Sequence, residues 1–122
     1  YAGSGALGIE AISRGAAKCT FVERDRNALH ALRENIATLG IDDRCTVYAS
    51  DVMAWVPAMR GVDIALVDPP YDFDGWHQLL GLLDAGLVVA ESDDPVEPHP
   101  GYTQVRARRY GRTWVTLLER LA

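Results

Sequence analysis

Four apolar residues, Ile64-Ala65-Leu66-Val67, run directly into Asp68-Pro69-Pro70-Tyr71, and no other stretch constrains the fold as tightly. A short apolar run with β-branched residues reads as a strand buried on both faces, the kind from which parallel sheets are built. Two successive prolines offer no N–H to a ladder and hold φ at about −65°. The strand must therefore end at Asp68, and the chain must leave it in a stiff turn. Open α/β sheets bind their ligands at this carboxyl end of the strands. There the tetrapeptide would present a carboxylate, free carbonyls and an aromatic ring, a set suited to a planar nitrogen-bearing group. Asp68 and the Pro69 carbonyl would accept from its amino group, and Tyr71 would stack on its ring. The competing reading is a strand-ending turn in which proline serves geometry alone.

The chain opens on Tyr1-Ala2-Gly3-Ser4-Gly5-Ala6-Leu7-Gly8, a Gly-x-Gly-x-x-Gly loop that runs into a helical apolar pattern at Leu7, Ile9, Ala11 and Ile12. Such a loop alone is weak evidence. Twenty residues after Gly3, however, Glu23 closes the apolar run Cys19-Thr20-Phe21-Val22, where a nucleotide-binding unit keeps a carboxylate for ribose hydroxyls. A structural salt bridge is the other reading of Glu23. Gly3 and Gly5 would let the backbone approach a ligand where a side chain would collide, and the helix behind them would present N–H groups to an anion.

Three segments, Gly3-Ser4-Gly5-Ala6-Leu7-Gly8-Ile9-Glu10-Ala11, Phe21-Val22-Glu23-Arg24-Asp25 and Asp68-Pro69-Pro70-Tyr71-Asp72, resemble the RsmD family. Its members are bacterial S-adenosylmethionine-dependent methyltransferases that modify guanine N2 in 16S ribosomal RNA. The resemblance covers roughly residues 1–91. It implies methyl transfer from S-adenosyl-L-methionine to the exocyclic N2 of a guanine, with Asp68, Pro69, Pro70 and Tyr71 as the catalytic residues. Cofactor-binding roles fall by the same resemblance on Gly3, Ser4, Gly5, Glu23, Arg24, Asp51, Val52 and Asp68, with the helix N-terminus facing the methionine carboxylate. Asp51 matches the family position that contacts the adenine amino group, beside the Val52 backbone; helix capping competes with that role.

The implied partner is 16S rRNA within the small ribosomal subunit or an assembly intermediate, and the implied protein is a cytoplasmic monomer. The family also has a central strand ahead of the glycine loop and, before that, an RNA-contacting N-terminal portion. Because this chain opens in mid-motif without Met, residues 1–122 are expected to be an N-terminally truncated methyltransferase domain. Asp84-Ala85-Gly86 stands where the family commonly has Pro-Gly-Gly. Asp-Pro-Pro-Tyr also serves adenine N6, cytosine N4 and a glutamine side-chain amide, and a catalytically silent cofactor- or RNA-binding module is a third reading.

With 122 residues, 48% of them hydrophobic, the chain suits one domain. No apolar run is long enough to span a bilayer, and no signal peptide is visible. Cys19 and Cys45 lie in apolar runs without a Cys-x-x-Cys and read as buried reduced thiols. His30, His77 and His99 lack metal-ligand spacing and read as surface residues, so no metal is expected. The net charge of −5 argues against nucleic-acid binding over the whole surface. Arg106, Arg108, Arg109 and Arg112, however, cluster near the C-terminus, either as phosphate contacts or as charges protecting a sheet edge.

The order of elements alternates. Helices are predicted at about residues 7–14 with Gly15 as C-cap, 26–39 capped by Asp25 and closed by Gly40, through Trp55 until Pro57 disrupts it, and 76–83. Strands are predicted at Cys19–Glu23, Cys45–Ala49, 64–68 and 87–91. Residues 92–101 form a proline-rich loop, and 102–109 with 113–119 a hairpin. This is an α/β pattern, a Rossmann-like class I methyltransferase fold with a mostly parallel sheet, helices on both faces and a C-terminal antiparallel hairpin.

Overall fold

In the computed structural model, which describes residues 1–121, helix α1 (Ala6–Ser13) begins where Gly5 takes a φ of 90°. L side chains avoid that conformation. Strand β1 (Cys19–Glu23) follows, then helix α2 (Arg26–Leu39) and strand β2 (Cys45–Ala49), which pairs with β1 in parallel. Asp25 caps α2 by accepting from the Ala28 N–H at 2.9 Å, and Gly40 ends it at φ 67°. The apolar positions Leu29, Leu32 and Ile36 recur at helical spacing and are buried. Leu32 and Ile36 join Phe21 of β1 in a core cluster, flanked by Ala2, Ile9, Cys19, Ile41, Cys45 and Val47. Each such side chain is worth roughly 1.5–3 kcal/mol of burial.

Two features of this unit, Tyr1–Trp55, escape sequence reasoning. Arg44 donates through its guanidinium to the carbonyls of Ile12 at 3.2 Å, Ala16 and Ala17 at 3.3 Å. A planar five-donor fork suits this gathering of carbonyls, and its charge offsets the negative end of α1. Cys19 and Cys45 are half-buried rather than buried, and stand opposite each other in the ladder. Burial, with Cys45 as a neighbour, pushes the Cys19 thiol up to about 11, so it stays protonated and a poor nucleophile. Helix α3 (Val52–Trp55) gives way at Pro57 to a 3₁₀ turn, Val56–Ala58, since proline lacks the N–H that continuation requires.

The second unit, from Val56 onward, is built on strand β3 (Val62–Val67), helix α4 (Trp76–Leu82), strand β4 (Ala85–Ser92) and the hairpin β5 (Tyr102–Tyr110) and β6 (Thr113–Arg120). Its strand order is β3-β4-β6-β5, with β3 parallel to β4 and the other two ladders antiparallel. Parallel pairing is thus confined to β1–β2 and β3–β4, within two hydrogen-bonded sheets rather than one mostly parallel sheet. Strand β4 begins two residues earlier than its apolar run suggests. Ala85 is buried there, and its N–H lies 3.5 Å from the Tyr102 hydroxyl, which itself donates to the Leu83 carbonyl at 2.6 Å. Alternation sorts the strands cleanly. Val88 and Ala90 face Leu118 and Thr116, all fully buried, whereas Ile64 and Leu66 of β3 stay exposed on the opposite face.

Strand β3 ends at Val67, one residue before Asp68, as two prolines dictate. Asp84, where the family commonly has proline, instead accepts from the Gly61 N–H at 2.9 Å and pairs with Arg120. Among the described residues no helix is long and apolar enough to cross a membrane.

Gly8 is required by packing. A Cβ there would meet the Phe21 ring at 2.4 Å and the Cys19 sulfur at 2.8 Å. Gly8→Ala is expected to cost about 1–3 kcal/mol of stability through overpacking, read as a lowered urea midpoint with an unchanged m-value.

Candidate active site

Glu23, at the carboxyl end of β1, holds the glycine loop. One carboxylate oxygen accepts from the Gly3 N–H at 2.8 Å, and the other accepts from Arg24 and Asp25 N–H groups, both at 2.9 Å. Partial burial pushes its pKa up, but these three backbone donors, with the amino terminus nearby, outweigh that and hold it below the ordinary value. A carboxylate has about four lone-pair sites, so Glu23 is largely occupied by the fold itself and keeps about one for a ligand. On the other side of the loop, Asn35 of α2 donates to the Ser4 carbonyl at 3.0 Å. The pattern of the helix gave no signal for it.

Gly3 and Gly5 play different parts. Gly3 has a φ of 59°, and the space its Cβ would occupy is open, with nothing within 4 Å. Gly5 is buried, and a Cβ there would strike Leu32 at 2.4 Å. Its lack of a side chain therefore serves the core, while Gly3 faces the free side. No side chain caps the N-terminus of α1.

Asp51 follows β2 and starts α3. Its carboxylate accepts from the Met53 N–H at 3.3 Å, and its carbonyl from the Ala54 and Trp55 N–H groups, both at 3.1 Å. Capping is thus a role that Asp51 performs, with its side chain exposed. The Tyr1 phenol is shifted upward by burial and then by the charge of Asp51, with Arg24 acting in the opposite sense. Arg24, Asp51 and Tyr1 therefore share one neighbourhood at the ends of β1 and β2.

In the second unit, Asp68 and Tyr71 are exposed and Pro69 is buried. The Pro70 carbonyl accepts from the Phe73 N–H at 2.9 Å, closing the turn, while the Pro69 carbonyl has no hydrogen-bond donor among the described residues. Tyr71 is 60% exposed, and its hydroxyl lies 3.1 Å from that of Thr113 at the start of β6. The ring is tethered at its far end with its faces available. Glu91, a strand-end carboxyl that the apolar pattern of β4 did not mark out, neighbours Asp68 across the β3–β4 ladder. Burial first, then the charge of Asp68, raises its pKa above the ordinary carboxyl range. Among the described residues no three His, Cys, Asp or Glu side chains gather as metal ligands. His77 and His99 instead stack, with ring centroids 4.8 Å apart.

A glycine loop held by a strand-end carboxylate, and an acidic Pro-Pro-Tyr turn at the end of a parallel strand, belong to the Rossmann-like methyltransferase class. Solved structures agree: a putative methyltransferase, yhhF from Escherichia coli, superposes with a TM-score of 0.83 at 33% identity, over 100% of this chain and 73% of that one. YlbH of Bacillus subtilis is 36% identical over 98% of this chain and 73% of that protein. The ribosomal RNA small subunit methyltransferase D of Escherichia coli is 37% identical over 76% of this chain, and the match spans half of that protein's length. The family model described as Conserved hypothetical protein 95 matches residues 1–119. The chain belongs to this family, the RsmD family.

The Glu23 network sets a pH dependence. Its folded pKa lies below the unfolded value of about 4.3, so its contribution to stability is complete above that value and is lost as pH falls through the folded pKa. Glu23→Gln should therefore flatten the loss of unfolding free energy below about pH 4.3, checked by denaturant titrations of both proteins at stepped acidic pH.

Proposed function

We propose that this chain carries the catalytic machinery of a ribosomal RNA methyltransferase that acts on the exocyclic N2 of a guanine in 16S rRNA, with S-adenosyl-L-methionine as donor. The observation that carries the reading is the turn after β3. The Asp68 carboxyl and the undonated Pro69 carbonyl are two acceptors of one amino group, beside an exposed Tyr71 ring fixed through Thr113. The names of curated relatives in Escherichia coli and Haemophilus influenzae, both ribosomal RNA small subunit methyltransferase D, support the substrate class.

The residues of the first unit fit the donor. The open side of Gly3 and the uncapped N-terminus of α1 suit its carboxylate, with Ser4 and Gly5 completing the loop. The remaining acceptor site of Glu23 suits a ribose hydroxyl, the exposed carboxylate of Asp51 with the Val52 backbone suits the adenine edge, and Arg24 lies beside them. The donor, when bound, supplies a methyl group on a positively charged sulfur. The chain's residues supply position. Asp68 and Pro69 would hold the amino group so that its lone pair turns out of conjugation with the base. Asp68 would take the proton that the amino group gives up on methylation and pass it to water. Tyr71 would stack on the base, worth about 1–3 kcal/mol, once the base is unstacked from its neighbours. Pro70 stiffens the turn. A cytoplasmic monomer working on the small subunit or its precursor fits this chemistry.

The test is in-vitro methylation of small-subunit particles from a strain lacking the enzyme, with the modified base identified by mass spectrometry. N2-methylguanine is expected; methylated adenine N6 or cytosine N4 would redirect the reading to another amino methyltransferase. Asp68→Ala should lower kcat at least about 100-fold, the loss typical of one preorganised hydrogen-bonding group, while donor affinity by calorimetry stays within a few-fold. Turnover surviving in that variant would reduce the motif to a structural turn.

Arg106 and Arg108 lie on one face of β5 and Arg109 on the other, as the pairing with Leu117, Val115 and Trp114 fixes. If this edge touches phosphates, Arg106→Ala/Arg108→Ala should flatten the salt dependence of RNA binding more than Arg109→Ala does. An unchanged slope would assign the cluster to protection of the sheet edge.

A further inference from the structure

Strand register places a second carboxyl beside the first. Val67 of β3 stands opposite Ala90 of β4, so the next residues, Asp68 and Glu91, are neighbours where the two parallel strands end, and their carboxyl groups lie close enough to interact. Two carboxyl groups side by side repel when both are ionised, and a hydrogen bond between them can form only if one keeps a proton. Asp68 is exposed, whereas Glu91 is half-buried in the ladder. The groups facing Glu91 give it no cation: Asp68 from the β3 side, the uncharged Val115 directly opposite on β6, and Arg108 one strand further, opposite Val115 on β5. Two strand spacings put Arg108 on the order of 10 Å away.

Resting on the reading that Asp68 takes the substrate amino group, we propose that Glu91 is a positioning residue: its protonated carboxyl donates to one oxygen of Asp68 and leaves the other oxygen for the substrate. The arrangement fixes the plane of the Asp68 side chain. It also sets a limit, because ionisation of Glu91 would place two like charges side by side and drive the Asp68 side chain away from the turn. Burial and the Asp68 charge both favour the protonated form of Glu91, in the sense the proposal requires. The acceptor of the methyl-transfer proton remains Asp68; Glu91 keeps its own proton throughout.

The test has two arms. Carboxyl carbon-13 NMR titration of Glu91 in the chain without donor or RNA should give a midpoint above the ordinary glutamate range, which Asp68→Asn returns toward that range. The same midpoint in both proteins overturns the proposal. In the transfer assay, wild-type kcat should fall as pH rises through that midpoint. Glu91→Gln, whose amide still donates to Asp68, should keep kcat within a few-fold and lose this descending limb. Glu91→Ala should lose 10-fold or more in kcat with KM for the RNA substrate unchanged and an unfolding curve like the wild type. Wild-type turnover at every pH in Glu91→Ala overturns the positioning role. Turnover surviving Asp68→Ala sinks the parent reading and this one together, while the NMR arm alone reports whether the pair exists.

Discussion

The Gly3–Glu23 hydrogen bond is the interaction on which the first unit depends. A glycine loop lacks side chains to hold it, and its conformational freedom is costly to remove. Glu23 meets that cost by binding three backbone N–H groups from both sides of the strand end. The same carboxylate thereby fixes the loop ahead of α1 and the turn into α2. Asn35 completes the hold from the other flank through the Ser4 carbonyl. A residue that sequence motifs read as a ligand group is therefore first a structural clamp, and it presents to a ligand only what the clamp leaves over.

The second unit uses strand ends in another way. Parallel strands in register finish side by side, so whatever follows one strand meets whatever closes its neighbour. Asp68 meets Glu91 for that reason, and the antiparallel hairpin brings Thr113 to the Tyr71 hydroxyl. Pro69 and Pro70 remove the N–H groups that would otherwise extend the ladder. The turn is rigid because its donors are missing and its ring is anchored at the far end.

Much of this was legible beforehand. The limits of α2 and β2 match those expected from periodicity and from Asp25 and Gly40, since caps and helical spacing are local signals. The early start of strand β4 was not legible because Ala85 and Gly86 carry no strand propensity; the Tyr102 hydroxyl, seventeen residues on, meets the backbone there. The glycine loop and the Asp-Pro-Pro-Tyr turn were visible as motifs. What hid were partners contributed from elsewhere in the chain: Asn35, Glu91 and Thr113 look like ordinary surface or strand residues until register places them. Gly5 looked like a ligand contact because spacing alone cannot distinguish a glycine emptied for a ligand from one emptied for Leu32.

Arg44 carries a consequence for the order of folding. The Ile12 carbonyl near the end of α1 and the Ala16 carbonyl just past it are gathered by a guanidinium about thirty residues further along the chain. Emerging from a ribosome at about 5–20 residues per second, α1 waits on the order of seconds before the residue that completes its C-terminus has even been made. During that interval the helix has only its eight residues and a left-handed glycine start, and segments so short are marginal alone in water. The first unit thus reaches its native form as a whole, when α2 has passed and β2 begins, rather than helix by helix from the amino end.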